Sequence, residues 1–397
     1  MRFSTWLEID LDALSHNISE ARARAGEDCQ VLLVVKADGY GHGAVEVARV
    51  AVRQGIDILG VATLHEGIEL RQAGITAPIL ILSPPMEEET DGVVDYELSC
   101  TVPSLSIARA LSRAAVSREK QCVVHVEVDT GMGRSGIGLA DAAPFISAVA
   151  NLPSLVLEGV FTHFPSSDDD PEFTRAQLDR FLGLLSRLKG KGVSIPLRHA
   201  ANSGGVLGIE DSRKAPLNLV RPGIMIYGLR PAAGVAPGAD LRPVMSFKSR
   251  IAQIRELPAG HPVSYGRTFV TEHPMRVGVV PVGYGHGYSF RLSNRGEVLV
   301  RGVKAPVIGR VTMDVTMVSL EDVGNAAVGD EVILFGRQDD AEISVDEVAR
   351  LSGTINYDVI CGIGKRVARM YIESGETIGM RTLIERRSVG RQPGVTR

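Results

Sequence analysis

The sequence predicts an α/β protein: an N-terminal parallel (β/α)8, TIM-like barrel joined to a smaller, mainly β domain. Three observations carry this. Eight short apolar runs recur between residues 31 and 227, amphipathic stretches lie between them, and beyond residue 243 closely spaced β-rich runs follow, many separated by glycine. Strands alternating with helices build a parallel sheet covered by helices. An open doubly wound sheet is the other architecture that such alternation allows.

The runs are Val31–Lys36, Asp57–Thr63, Ile79–Ser83, Glu97–Val102, Val123–Asp129, Leu157–His163, Leu197–Ser203 and Asn218–Tyr227. Between them, Ala44–Gln54, Leu64–Ala73, Ser104–Glu119 and Glu172–Lys189 carry apolar residues three and four apart, the helical period. The last has Pro171 at its start and Gly190 and Gly192 at its end, as helix boundaries do. Residues 230–243 (RPAAGVAPGADLRP) hold three prolines and read as a linker. The expected division is a barrel over 1–240 and a β domain over 241–385. The β runs are Phe247–Glu256, Arg276–Val282, Glu297–Arg301, Ala305–Ile308, Val315–Leu320 and Glu331–Phe335, with one helix near Ser344–Leu351. Residues 386–397 read as a disordered tail.

Composition narrows the classes. The chain has 397 residues, 44% hydrophobic and 23% charged, enough for a core in each part. A net charge of −4 disfavours nucleic acid or an anionic membrane as partner. No run of about 18 apolar residues is present. Glu8, Asp10 and Asp12 stand where a signal peptide is apolar. The four cysteines are far apart and form no CxxC, so neither a disulfide framework nor a metal site is expected. A cytoplasmic location fits these features.

Chemistry on a barrel gathers at the C-terminal ends of its strands. Lys36 ends the first run, Arg134 follows the fifth, and His163 ends the sixth. Asn202 and Ser203 end the seventh; Arg221, Gly223 and Ile224 lie in or after the eighth. Singly, each also reads as a solvated strand end, a structural histidine or a tight turn. Together they point to a site. A lysine after five apolar residues (VLLVV) is partly desolvated, which favours the free amine needed for a Schiff base. Glycines at 204, 205 and 223 let backbone approach a phosphate. Lysine plus phosphate site suggests pyridoxal 5'-phosphate (PLP).

Seven segments share a further likeness: VVKADGYGHG (Val34–Gly43), VDTGMGRSG (Val128–Gly136), HAANSGG (His199–Gly205), RPGIMIYG (Arg221–Gly228), VSYGRTF (Val263–Phe269), GRVTMDVTMV (Gly309–Val318) and TINYDV (Thr354–Val359). In this order, from about Trp6 to Tyr371, the chain resembles the bacterial alanine racemases. The resemblance implies a PLP enzyme that interconverts L- and D-alanine by a two-base mechanism, supplies D-alanine for peptidoglycan, and works as a homodimer with composite active sites. Lys36 matches the family's Schiff-base lysine and serves one face of Cα. Tyr265, from the partner subunit together with Met313 and Asp314, serves the other. Tyr40, Asn202, Ser203, Gly223, Ile224 and Tyr357 match cofactor contacts. Arg221 matches the arginine that faces the pyridine nitrogen; a guanidinium cannot accept a proton, so the nitrogen stays neutral and carbanion lifetime is short. His163, Arg221 and His199 match a network that lowers the pKa of the Tyr265 phenol, ordinarily near 10. Arg134 matches a residue facing the cofactor phenolate or the substrate carboxylate.

Two departures stand out. Glu127 occupies a position where several members carry a carbamylated lysine, and a carboxylate supplies the same negative charge beside Arg134. Within Gly283–Asn294, which borders the active-site entrance with Tyr284 and Arg310, His286 replaces the usual Asp. Ser289-Phe290 replaces Pro-Arg, and Arg291 comes one position late. His286 reads either as a changed charge in that entrance or as an exposed loop residue. Tyr357 and Tyr284, in positions that crowd the pocket, favour a small substrate side chain. The other readings are a racemase of broader scope, accepting serine or larger amino acids, a PLP decarboxylase, and a non-catalytic PLP-binding protein.

Overall fold

A computed structural model of the chain describes residues 3–384 and 386–388. It divides into two units: Leu14–Arg242, and residues through Ala13 with Pro243 onward.

The first unit is a closed barrel of eight parallel strands: β1 (Gln30–Val34), β2 (Ile58–Val61), β3 (Ile79–Ile81), β4 (Ser99–Thr101), β5 (Cys122–Asp129), β6 (Leu155–Phe161), β7 (Leu197–His199) and β8 (Leu219–Val220). Neighbours pair in the order β4-β3-β2-β1-β8-β7-β6-β5, and β4–β5 pairing closes the ring. All eight coincide with apolar runs of the sequence. Barrel strands are covered on both faces, so they read as continuous apolar stretches. The predicted helices form over Ala44–Arg53, Leu64–Gln72, Leu105–Ser117 and Pro171–Gly190. In the last, Asp170 caps the Phe173 amide (2.9 Å), Pro171 lies in the first turn, and Leu178, Phe181, Leu184 and Leu188 are buried. Each such side chain contributes about 1.5–3 kcal/mol on burial.

The linker is pinned. Buried Asn17 donates from Nδ2 to the carbonyls of Ile226 (3.0 Å) and Arg242 (2.8 Å), and its Oδ1 accepts from the Arg242 amide. The Arg230 guanidinium donates to Ala236, Pro237 and Ala239 carbonyls.

The second unit centres on a mixed sheet. Strand Thr5–Asp10 lies between Met245–Arg250, antiparallel, and Ala368–Glu373, parallel. The sequence reading placed these first residues with the barrel; their hydrogen bonds place them here. The single run expected over Phe247–Glu256 is two strands in different sheets, Met245–Arg250 and Gln253–Leu257. The latter joins Met275–Val280 and Thr316–Ser319 in a three-stranded sheet. The expected helix runs Val345–Ser352, capped by Ser344, and a further short helix spans Asn356–Cys361. Of the expected tail, Arg386–Ser388 pairs with Glu376–Arg381, and 389–397 lie outside the described residues. Among the described residues no helix is long and apolar enough to cross a membrane.

Candidate active site

Lys36 does not end its strand. β1 stops at Val34, and Lys36 opens a left-handed turn in which Ala37, Asp38, Gly39 and Tyr40 have φ of 52, 56, 62 and 51°. For residues with a Cβ this conformation costs about 1–2 kcal/mol each. The surrounding structure holds it. The Glu66 carboxylate accepts from the Ala37 amide (2.7 Å) through one oxygen and from the Ala62 (2.7 Å) and Thr63 amides through the other. Asp38 accepts from the Ala44 amide at 3.0 Å. The half-buried Lys36 is thus displayed at the barrel mouth on a braced, strained loop.

Arg221 follows β8 and is buried. Its guanidinium donates to His199 Nδ1 (2.8 Å), His163 Nδ1 (3.2 Å), and the Thr162 (2.8 Å) and Ala200 (3.1 Å) carbonyls. It also lies over the Phe161 ring, 5.0 Å from the centroid, and that ring stacks on His199. These contacts offset the cost of burying a charge. Burial still lowers the Arg221 pKa to about 10, opposed by the Glu127 carboxylate.

His163 and His199 are held neutral. Burial, then the Arg221 charge, drives both pKa values well below 6.5; the charges of Arg134 and Lys36 add to the effect at His163. Lys36, Arg134, Arg221 and His163 therefore share one electrostatic environment. Because the folded pKa values are depressed, the unfolded chain binds more protons as pH falls below 6.5. The stability these rings contribute is present above that pH and is lost as pH falls toward their folded values. Thermal unfolding should therefore show a midpoint falling from about pH 7 to about pH 5, less steeply in His199→Gln. Equal slopes in the two proteins would refute the assignment.

Arg134 sits after β5 on a loop that Asp129 organises by accepting from the amides of Gly131 (2.8 Å), Met132 (2.8 Å) and Gly133 (3.0 Å). Buried Glu127 accepts from Ser135 Oγ at 2.6 Å and stands 4.0 Å from the Arg134 guanidinium. Asn202 is a helix cap: its Oδ1 accepts from the Gly205 amide and Ser167 Oγ, and its Nδ2 donates to the Phe164 carbonyl. This sets Ser203, whose Oγ accepts from the amides of Gly223 (2.9 Å) and Met225 (3.4 Å). A Cβ on Gly223 would stand 2.7 Å from the Tyr40 hydroxyl and would have to displace it. Two hydroxyls and two amides thus gather in one cradle beside buried Ile224.

Tyr265, Tyr284, Met313, Asp314 and Tyr357 belong to the second unit. Tyr265 is 73% exposed on a turn where Ser264 (φ 63°) donates to the Arg310 carbonyl and Gly266 (φ 70°) fits against the Arg310 guanidinium. Arg310 lies over the Phe290 ring, which meets Tyr284 edge-on; the Gly285 amide donates to the Met313 carbonyl. Tyr284, Phe290 and Met313 are all exposed. Asp314 pairs with Arg366 at 2.9 Å. Tyr357, half-buried, is in the helix Asn356–Cys361. His286 is not an exposed loop residue: it is buried, its Nδ1 accepting from the Gly283 amide, and burial beside Arg366 lowers its pKa. Sequence reasoning missed Glu66, His125 and Glu158. The only trace of the last two was a histidine and a glutamate inside otherwise apolar runs.

The closed barrel, with its cationic mouth and glycine-lined cradle, and the attached β unit define a two-domain barrel enzyme. The family models described as alanine racemase, N-terminal domain, and alanine racemase, C-terminal domain, match residues 9–231 and 244–371. The chain belongs to the alanine racemase family. It is 42% identical over 383 residues to alanine racemase 2 of Caldanaerobacter subterraneus subsp. tengcongensis, covering 96% of this chain and 98% of that one. It is 45% identical over 380 residues to the alanine racemase of Desulfosudis oleivorans, covering 93% and 97%. Among solved structures it is similar to the alanine racemase of Clostridium difficile 630, with a TM-score of 0.93 and 37% identity over 97% of this chain and all of that one. The alanine racemase of Bacillus anthracis with bound L-Ala-P gives a TM-score of 0.90 at 35% identity, over 97% and 99%.

Proposed function

We propose that this protein is a cytoplasmic, PLP-dependent racemase that interconverts L- and D-alanine and supplies D-alanine for peptidoglycan. The observation that carries the reading is the barrel mouth: a lysine on a braced loop, a donor-only arginine held between neutral histidines, and a cradle in which the Tyr40 hydroxyl closes on Gly223. Hydroxyls and backbone amides converging on one point suit a phosphate. Lys36 would carry the cofactor, and Tyr40, Ser203, Gly223, Ile224 and Tyr357 would hold its phosphate. PLP when bound withdraws electrons from Cα and acidifies its C–H bond.

Racemisation then needs one group on each face of Cα. Lys36 Nζ moves the proton on one face, and Oη of Tyr265 of the partner subunit moves it on the other. A reactive phenol that is largely exposed within one chain suits a composite site, and the apolar surface of Tyr284, Phe290 and Met313 around it suits a homodimer interface. Met313 and Asp314 would join the substrate pocket from the same side. Arg221 offers the cofactor ring nitrogen only N–H donors, so that nitrogen gains no proton. Arg134 binds the substrate carboxylate or the cofactor phenolate, oriented by Glu127 where other members use a modified lysine.

The test is incubation with L-alanine, and separately with L-serine, in deuterated water, followed by chiral chromatography and mass spectrometry. D-alanine bearing Cα deuterium, with little D-serine, is expected. Comparable D-serine would indicate a broader racemase. Absence of Cα exchange with both amino acids would overturn the reading.

A further inference from the structure

Behind Arg221 runs a chain of hydrogen bonds that the two-base reaction does not require. His199 Nδ1 accepts from Arg221 (2.8 Å), His199 Nε2 lies 3.0 Å from His125 Nδ1, and His125 Nε2 lies 2.9 Å from Glu158 Oε2. Both imidazoles are fully buried, whereas the Glu158 side chain is 35% exposed. One end dictates the whole. A guanidinium can only donate, so His199 Nδ1 must be bare and Nε2 must carry the hydrogen. That hydrogen points at His125 Nδ1, which must accept, so His125 is protonated at Nε2 and donates to the carboxylate. Every proton in the chain therefore points away from Arg221 and toward Glu158.

The seat of His125 is built for this. The register shift between Val124 and His125 leaves Glu158 as the extra, unpaired residue of β6, and His125 pairs with Gly159 next to it. A Cβ at position 159 would stand 2.1 Å from His125 Nδ1, so the ring fills the space that glycine leaves.

We propose that Glu158 and His125 are positioning residues for Arg221: the Glu158 carboxylate ends the chain as the acceptor of the His125 Nε2–H that the guanidinium dictates, holds both rings in place, and so orients the guanidinium toward the cofactor ring nitrogen. This rests on the PLP reading for what Arg221 faces, though not for the tautomers. The direction also blocks proton delivery. Reversing it would put an imidazole N–H against a guanidinium N–H at the 2.8 Å separation seen here.

The test compares Glu158→Gln, which keeps an acceptor oxygen, with Glu158→Leu, which removes it. Glu158→Asp, which keeps the charge but withdraws the oxygens by one methylene, substitutes for Glu158→Leu if that variant does not fold. Nitrogen-15 histidine spectra of the cofactor-loaded protein report which ring nitrogen bears hydrogen. His125 and His199 are expected as Nε2–H in the wild type and in Glu158→Gln. In Glu158→Leu or Glu158→Asp the His125 Nε2–H loses its acceptor, so the His125 nitrogen resonances are expected to shift, with kcat for alanine down about tenfold and KM little changed. Wild-type histidine resonances and kcat in Glu158→Leu, or in Glu158→Asp where it stands in, would overturn the proposal. So would Nδ1–H on His199 in the wild type. Failure of the racemase reading looks different: no Cα exchange in the wild type, with the histidine spectra unaffected.

Discussion

Lys36→Ala is expected to abolish racemisation in both directions. The substitution removes the amine that would carry the cofactor and, with it, the proton-moving group on one face of Cα. Loss of a positioned acid–base group alone costs about 10²–10⁴-fold, and loss of the cofactor's attachment adds to this. The left-handed turn should survive, because its supports are the Glu66 and Asp38 carboxylates on backbone amides and not the lysine side chain. A folded, inactive protein is therefore the predicted outcome. Circular dichroism would report the fold, the visible absorbance of the lysine-bound cofactor would be absent, and chiral chromatography would find no D-alanine. Turnover within tenfold of wild type would remove Lys36 from the site.

Tyr265→Phe is expected to act on one face only. The ring remains, and so does the turn that Ser264 and Gly266 build against Arg310, while the hydroxyl is lost. Interconversion should fall by about 10²–10⁴-fold. Yet one enantiomer of alanine should still exchange its Cα hydrogen for deuterium, through Lys36, without inverting. The other should not exchange. Equal exchange of both enantiomers would mean that Tyr265 is not the second base. The origin of the tyrosine can be read in the same system. Equal amounts of Lys36→Ala and Tyr265→Phe chains, unfolded and refolded together, should regain about a quarter of wild-type activity, since half the dimers are mixed and one site in each is whole. No recovery would place both groups in a single chain.

The exposure of Tyr265 ties fold to function. A tyrosine at 73% exposure, in a unit that also exposes Tyr284, Phe290 and Met313, is ill-placed in water for chemistry that must exclude it. The homodimer proposed above would resolve this difficulty. The strained backbone follows the same logic: positive φ at Ala37, Asp38, Tyr40 and Ser264 occurs beside the two residues proposed to move protons.

How much of this was legible in the sequence depended on the range of the interactions. The eight barrel strands and four of the helices were readable because burial on both faces of a strand, or one face of a helix, imposes a local pattern. Lys36, Arg134, His163, Ser203 and Arg221 could be placed near one mouth because the order of strands in a barrel fixes which ends share it. Asp38-Gly39 marks a turn after the first strand, but the left-handed conformation of Ala37 and Tyr40 left no local mark; Glu66, far along the chain, braces it by accepting from the Ala37 amide. Strand Thr5–Asp10 was invisible for a similar reason: its partners, Met245–Arg250 and Ala368–Glu373, lie hundreds of residues along the chain.

Local order along the chain therefore specified the barrel, the change to a β-rich domain, and the identity of the chemical groups. Tertiary structure decided their states. His286 became buried by the turn that folds over it. Arg221, donor-only by its chemistry, became locked between neutral rings. His125 meets Glu158 where a register shift leaves Glu158 unpaired and Gly159 on the same strand makes room for the imidazole. Side-chain periodicity records which residues face a core. Register, closure and burial set protonation and direction, and those arise only when distant segments meet.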